Sequence, residues 1–343
     1  VDTLNALLAN AQRPLLFAGH GVRISGGADL FRQLAEQLHI PCVFTWNAAD
    51  LLPWDHPLYV GRPGVVAARA PNFAVQNCDL LISIGCRLDN IITAYNPRGF
   101  APQAKKVVVD VDPHELARHE LPLDIRIQAD ARTFLQLWRE SSRQCMERGD
   151  WLARCQDWKL RYPPLDGRKF AGDAISHYQL IDALSDAVPE NRLVISGSSG
   201  LAVEVFYTAF RNKPGQRMFL TSGLGAMGYG LPAIIGACLG NGRTPTVGVE
   251  SDGSLMLNLQ ELLTLKALNL PVVLIVMNNR GYASIRNTQR NYFDSRYIAT
   301  GPEAGLLFPD FVALCGTLGL AAMRIETADE LAVGLQHALA QSG

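Results

Sequence analysis

The chain of 343 residues lacks several features that mark particular classes of protein. Its formal net charge is only −1, which gives no global electrostatic attraction to nucleic acids or to anionic membranes. No apolar run reaches the length of about 18 residues that a transmembrane helix needs. None of the seven cysteines forms a CxxC pair and most stand in apolar surroundings, which predicts buried free thiols in a cytoplasmic protein. We therefore expect neither a membrane protein, nor a nucleic-acid-binding protein, nor a disulfide-stabilised secreted domain.

Apolar residues are abundant instead: they make up 48% of the chain against 18% charged residues, which fits large buried cores. Short, wholly apolar runs such as PLLFAGHG alternate with amphipathic patterns such as ADLFRQLAEQLH, and this alternation indicates parallel sheets covered on both faces. A polar stretch containing Pro163 and Pro164 separates two such series. We predict an α/β protein with two doubly wound parallel-sheet domains, over residues 1–140 and 176–343, joined by a helical and extended linker over 141–175.

Two polar side chains follow neighbouring apolar strands of the second predicted domain. Asp252 comes directly after TPTVGVES, and Asn279 comes directly after PVVLIVMN. The helix between these strands returns the chain to the same edge of the sheet, where doubly wound sheets bind ligands. Carboxylate, amide and carbonyl oxygens suit Mg²⁺, and Gly281 can supply the carbonyl. Gly253 and Ser254 open the following helix, whose N-terminus favours a phosphate, so the spacing predicts a Mg²⁺ ion that bridges a diphosphate to the protein.

The stretch that begins at Ser251 resembles the signature of thiamine-diphosphate-dependent enzymes, which is usually written GDG followed, after a helix and a strand, by NN. Ser251 stands where the family usually has its first glycine, whereas Asp252 is retained. The resemblance implies that Asp252, Asn279 and the carbonyl of Gly281 hold the metal ion.

A second stretch, SGLGAMGYGLPAIIGA, resembles the family segment that surrounds the two rings of the cofactor. The resemblance implies that the carbonyl of Gly225 accepts a hydrogen bond from the 4′-amino group and that Met227 is the wedge beneath the bent cofactor; core packing is the alternative for Met227. The segment ISGSSG stands where the family places further diphosphate contacts, although a turn without a ligand would look similar. The residues that we expect to bind thiamine diphosphate are Ser198, Ser199, Gly200, Gly225, Ala226, Met227, Ser251, Asp252, Gly253, Ser254, Asn279, Gly281, Tyr282 and Ala283.

The first predicted domain resembles the middle domain of the same family, and CDLLISIGCRLDNIITAY and FAPQAKKVVVDVDPHE are close to the acetolactate synthase pattern. In that subgroup the domain holds FAD in a structural role. The resemblance implies FAD contacts from Arg87, Asp110 and Asp112, and Gly19 and Gly21 would allow a backbone to approach a phosphate. Relatives without flavin have similar strand endings, so a middle domain without FAD is the alternative.

The resemblance spans nearly the whole chain and implies a thiamine-diphosphate- and Mg²⁺-dependent carboligase of the acetolactate synthase type. Such an enzyme decarboxylates a 2-oxo acid such as pyruvate and transfers the two-carbon unit to a second carbonyl. The alternatives with the same cofactor are a 2-oxo acid decarboxylase or lyase, and a non-catalytic cofactor-binding fragment or subunit. The expected partners are these small molecules and further copies of the chain in a homodimer or homotetramer.

Full-length members of the family also have a pyrimidine-binding domain, which supplies an activating glutamate, and a further strand and tail after the last helix. We expect this chain to lack both, so it offers no certain catalytic group beyond Met227 as the cofactor wedge. We also expect the chain to be inactive by itself. Downstream of the metal turn, Arg286 is predicted either to face a substrate carboxylate or to lie on the solvated surface.

Overall fold

The protein has two compact α/β units, Val1–Asp166 and Gly167–Gly343. The computed structural model describes residues 1–117, 120–142, 148–165, 174–197, 200–221 and 223–341. Each unit contains one sheet whose strands all pair in parallel, which confirms the predicted fold class. Among the described residues, no helix is both long enough and apolar enough to cross a bilayer. The six cysteines in these ranges have free thiols, and five of them are buried.

The sheet of the first unit is covered on both faces because successive residues of its central strand point to opposite sides. Leu16 packs into one buried cluster together with Phe31 and Trp138, whereas Phe17 packs into a second cluster together with Trp151. The strand order is β3-β2-β1-β4-β5-β6. The strands are β1 (Pro14–Ala18), β2 (Cys42–Phe44), β3 (Tyr59–Gly61), β4 (Leu80–Ile84), β5 (Lys105–Asp110) and β6 (Ile125–Gln128).

Part of the predicted linker packs as a helix of the first unit. The helix begins at Gly149 and ends at Arg161, ahead of the proline pair. Trp151 is buried in it, and its indole nitrogen donates a hydrogen bond to the carbonyl of Pro14 at 2.9 Å. The helices of this unit are α1 (Asp2–Asn10), α2 (His20–Ile24), α3 (Ala28–Leu38), α4 (Arg69–Asn77), α5 (Pro113–Ala117), α6 (Ala131–Ser141) and α7 (Gly149–Arg161).

The sheet of the second unit has the order β10-β9-β7-β8, so the two strands that precede Asp252 and Asn279 are direct neighbours. Their register pairs Ser251 with Met277, the last residue of each strand. The carboxyl ends of the two strands therefore lie side by side, as the sequence predicts. The strands are β7 (Leu193–Ser196), β8 (Arg217–Phe219), β9 (Thr246–Ser251) and β10 (Val272–Met277).

The helix expected directly after Asp252 is interrupted. A four-residue helix begins at Asp252, a 3₁₀ turn follows over Met256–Asn258, and the longer crossover helix starts only at Glu261. The helices of the second unit are α8 (His177–Ala187), α9 (Gly200–Ala209), α10 (Gly230–Gly240), α11 (Asp252–Leu255), α12 (Glu261–Leu268), α13 (Ala283–Tyr292), α14 (Phe311–Thr317) and α15 (Leu331–Ala340).

Candidate cofactor site

Asp252 turns its carboxylate toward the loop at the end of the neighbouring strand. Its Oδ2 accepts a hydrogen bond from the amide of Gly281 at 3.0 Å, and its Oδ1 accepts one from the amide of Gly253 at 2.8 Å. The side chain is fully buried, at 0% exposure. Burial raises the pKa of the Asp252 carboxyl above its ordinary value, and the hydrogen bonds from the two amides oppose that rise. Two of the three predicted metal-binding positions, Asp252 and Gly281, are thus joined by a direct hydrogen bond.

Asn279 brings a buried oxygen to the same loop. Its Oδ1 is inaccessible to solvent and has no hydrogen-bond partner among the described residues. A buried acceptor without a donor is costly unless another group binds it, and a cation is such a group. Within the described part of the chain, no group of three or more His, Cys, Asp or Glu side chains is placed to hold a metal. A site here would therefore combine one carboxylate with amide, carbonyl and ligand oxygens, a donor set that suits Mg²⁺.

Arg286 binds the backbone of the loop that follows β10, over residues 279–281. Its Nη2 donates to the carbonyl of Asn279 at 2.8 Å, and its Nη1 donates to the carbonyls of Arg280 and Thr300, both at 3.0 Å. The sequence left two roles open for Arg286, a substrate carboxylate or the solvated surface. The structure gives it a third role, because the guanidinium is half-buried and engaged with the chain's own carbonyls.

The glycine-rich loop that is predicted to hold the cofactor rings is fastened to the segment after Asp252. The amide of Gly228 donates to Ser254 Oγ at 2.9 Å, and the side chain of Asn258 donates to the carbonyl of Gly228 at 2.7 Å. Gly225 has φ +60° and Gly228 has φ +82°, so both occupy the left-handed region that favours glycine. Met227 lies between them and is 42% exposed, so it does not belong to the core of this unit.

A buried carboxyl lies beneath this loop, and sequence reasoning missed it. Glu250 precedes Ser251 on β9 and has 0% exposure, and its Oε1 accepts a hydrogen bond from the amide of Ser251 at 2.9 Å. Burial raises the pKa of the Glu250 carboxyl. Gly197 and Gly230 make room for it, because a Cβ at either position would lie within 2.2 Å of a Glu250 oxygen.

Ser284 is a second residue that the sequence did not indicate. Its Oγ is buried without a hydrogen-bond partner in the described residues, directly after the predicted Tyr282 and Ala283. It lies 3.8 Å from the position of a Cβ on Gly200, so α13 approaches the start of α9. The ring of Tyr282 packs against Gly253: a Cβ atom on Gly253 would lie 2.5 Å from a ring carbon of Tyr282. The predicted contacts Ser198 and Ser199 lie outside the described residues.

Comparison with known proteins connects this geometry to a family. Residues 1–137 match the central domain of thiamine pyrophosphate enzymes, and residues 197–343 match the C-terminal TPP binding domain. The chain belongs to the thiamine pyrophosphate enzyme family. The matched C-terminal domain contains the loop of Asp252, Asn279 and Gly281, which confirms the family resemblance of that segment.

The curated relatives of this thiamine pyrophosphate family member include acetolactate synthase large subunits. The "Probable acetolactate synthase large subunit" of Methanocaldococcus jannaschii is 32% identical over 97% of this chain and 56% of its own length. The isozyme 2 large subunit of Escherichia coli is 30% identical over 100% of this chain and 60% of its own length. The E. coli isozyme 1 large subunit is 35% identical over 86% of this chain and 51% of its own length. The chain thus spans little more than half the length of these relatives.

In the central domain of this family member, the predicted FAD residues lie at the carboxyl ends of the adjacent strands β4 and β5. Arg87 is 70% exposed and pairs with Glu115 at 3.4 Å. Asp110 accepts a hydrogen bond from the amide of Asp112 at 2.9 Å, and Asp112 accepts one from the amide of His114 at 2.8 Å. These positions fit the edge where doubly wound sheets bind nucleotides.

Gly19 and Gly21, which follow β1, lie against the backbone of Gly85. The amide of Gly21 donates to the carbonyl of Gly85 at 3.0 Å, and a Cβ on Gly19 would lie 2.1 Å from that same carbonyl. The close approach that these glycines permit is therefore to the backbone of Gly85.

Proposed function

We propose that the protein is a thiamine-diphosphate- and Mg²⁺-dependent carboligase of the acetolactate synthase type. It would decarboxylate a 2-oxo acid such as pyruvate and transfer the two-carbon unit to a second carbonyl compound. The observation that supports this proposal is a loop with two features. The buried carboxylate of Asp252 accepts a hydrogen bond from the amide of Gly281, and Oδ1 of Asn279 is buried without a hydrogen-bond partner among the described residues. This loop occurs in a chain whose relatives are named acetolactate synthase large subunits.

Within this proposal, residues at the ends of β9 and β10 and residues of the glycine-rich loop have binding roles. Asp252, Asn279 and the carbonyl of Gly281 would hold Mg²⁺, which in turn would bind the diphosphate. Gly225 would orient the aminopyrimidine through its carbonyl, and the exposed side chain of Met227 would support the bent cofactor. The cofactor, when bound, supplies the electron sink that decarboxylation of a 2-oxo acid requires. The chain itself would bind the cofactor, orient it and exclude water from it.

Assembly is part of the proposal because the relatives are named as large subunits of acetolactate synthase. We propose that the active form is a homodimer or homotetramer, in the cytoplasm, in which a pyrimidine-binding domain supplies the activating glutamate. The central domain would hold FAD as a structural group through Arg87, Asp110 and Asp112, which share one edge of the sheet.

A product assay with pyruvate tests the reaction. The full-length protein, incubated with pyruvate, Mg²⁺ and thiamine diphosphate, should release carbon dioxide and form acetolactate, and both should require the two cofactors. Acetaldehyde without acetolactate would favour the decarboxylase or lyase. Tight cofactor binding without turnover of pyruvate, with or without added carbonyl acceptors, would contradict the acetolactate synthase type and favour a cofactor-binding subunit.

A further inference from the structure

The loop that is proposed to hold the metal has a backbone conformation that needs support. Arg280 has φ +59° and Gly281 has φ +137°, so two consecutive residues lie in the left-handed region. A non-glycine residue there is unfavourable by roughly 1 kcal/mol, and surrounding contacts must hold it in place. Asp252 binds one side of the loop through the amide of Gly281.

Arg286 binds carbonyl groups of this loop with a single guanidinium group. Its two terminal nitrogens reach the carbonyls of Asn279 and Arg280, which are consecutive in the loop, and the carbonyl of Thr300. The planar fork of arginine suits several acceptors at fixed positions, whereas a lysine ammonium on its flexible stem does not. These bonds hold the peptide groups that follow Asn279 and Arg280 in fixed orientations. Those orientations in turn determine where the side chain of Asn279 and the carbonyl of Gly281 lie.

The third acceptor links the loop to a long exposed segment. Residues 291–299 are all exposed, whereas Thr300 is buried at 2% exposure. The carbonyl of Thr300 accepts from Arg286 and also from the amide of Tyr282 at 3.0 Å, and its Oγ1 donates to Gln289 at 3.0 Å. Thr300 therefore anchors the end of the exposed segment to the metal loop and to α13.

We propose that Arg286 is a positioning residue that couples cation binding at Asp252 and Asn279 to the docking of the exposed segment 291–299 through Thr300. This inference rests on the proposed metal site. Because the guanidinium holds the loop and Thr300 together, an arrangement of the loop that binds the cation also favours the docked segment. Thermodynamic coupling is reciprocal, so loss of Arg286 weakens cation binding and removes the effect of the cation on the segment.

The positive charge of Arg286, taken by itself, predicts the opposite effect of its loss on metal affinity. A guanidinium near the carboxylate of Asp252 disfavours a second cation there, so a purely electrostatic role means that Arg286→Met tightens metal binding. A positioning role means that Arg286→Met and Arg286→Lys both weaken it, although lysine keeps the charge. The sign of the Met variant therefore separates the two roles.

The test is a titration with Mn²⁺ as the probe, at fixed thiamine diphosphate, followed by the loss of the free-ion paramagnetic resonance signal. Arg286→Lys and Arg286→Met should each raise the Mn²⁺ concentration for half-saturation about tenfold, which is the usual effect of removing a group that supports metal ligands. Arg290→Lys and Arg290→Met are the matched controls, because Arg290 lies one turn further along α13 and is exposed. They should stay within about twofold of the wild type.

A second measurement follows the segment directly. Trypsin cleavage after Arg296, monitored by mass spectrometry, should be slowed by Mn²⁺ plus thiamine diphosphate in the wild type and in Arg290→Lys, but not in Arg286→Lys. Thermal unfolding of each variant shows that it is folded. Unchanged half-saturation in Arg286→Lys, tighter binding in Arg286→Met, or retained protection in Arg286→Lys would each overturn the inference. A wild type without cofactor-dependent Mn²⁺ binding, or an Asp252→Asn variant that retains it, would instead overturn the proposed function, and the inference with it.

Discussion

A Cβ atom on Gly230 would lie only 1.8 Å from Oε2 of Glu250, the buried carboxyl near the end of β9. A Cβ on Gly197 would lie 2.2 Å from Oε1 of the same side chain. The glycines at the end of β7 and at the start of α10 are thus needed to accommodate this carboxyl. The loop that carries Met227 ends at this position, so the carboxyl supports a part of the candidate site.

Gly230→Ala should destabilise the second unit because the new methyl group meets a buried polar side chain in a packed environment. We expect a loss of about 1–3 kcal/mol in the free energy of unfolding, measured by urea denaturation. Gly236→Ala is the matched control on the same helix, because a Cβ there has nothing within 4 Å. That variant should be as stable as the wild type or gain up to about 1 kcal/mol, since alanine favours a helix interior over glycine. Equal losses in the two variants would contradict the role of Glu250.

Lys159 should make the stability of the first unit depend on pH. Its Nζ lies 4.0 Å from the centre of the Trp54 ring and donates hydrogen bonds to the carbonyls of Trp54 and Tyr59. Burial lowers the pKa of Lys159 to about 8, from an ordinary value of 10.5. Between these two values the unfolded chain holds a proton that the folded chain has released. Stability should therefore rise with pH across this window and be constant, from this group, below it.

The check is the free energy of unfolding of the wild type relative to Lys159→Met. The difference should shift in favour of the wild type by on the order of 1–2 kcal/mol as the pH rises from about 8 to about 10. Lys105→Met, which removes an exposed lysine of the same unit, serves as the control. A difference that falls with increasing pH would contradict the lowered pKa.

The flavin prediction can be checked by the colour of the purified protein. If Arg87, Asp110 and Asp112 line a FAD site, gently purified protein should show flavin absorption and release FAD on heating. Arg87→Ala should retain less FAD, whereas Arg98→Ala, at a 3₁₀ turn of the same unit, should retain as much as the wild type. A colourless wild type that does not take up added FAD would contradict the prediction.

The sequence predicted the long, wholly apolar strands and their adjacency, because burial on both faces leaves a continuous apolar run. It therefore placed Asp252 and Asn279 at neighbouring strand ends, as the pairing of β9 with β10 confirms. Three short strands were not predicted, namely β3, β6 and β8. Each has only three or four residues, and so short a strand is easily missed among the surrounding turns.

The roles of individual polar residues were harder to predict because they depend on what folding brings next to them. Arg286 finds three carbonyls, one of which is 14 residues away in the chain, and no local pattern indicates that contact. Glu250 is a charged residue type in a buried strand, and only the two distant glycines show how it fits. Gly19 and Gly21 also approach the backbone of Gly85, a contact that the sequence did not indicate.

The binding of thiamine diphosphate as a function of Mg²⁺ concentration, measured by calorimetry, tests the central claim most directly. Asp252→Asn should weaken Mg²⁺-dependent binding by about 100-fold or more, because it removes the carboxylate from the proposed protein ligands Asp252, Asn279 and Gly281. Asp329→Asn, which removes the same charge from an exposed position, should bind as the wild type does. Unchanged affinity and unchanged Mg²⁺ dependence in Asp252→Asn would contradict the account.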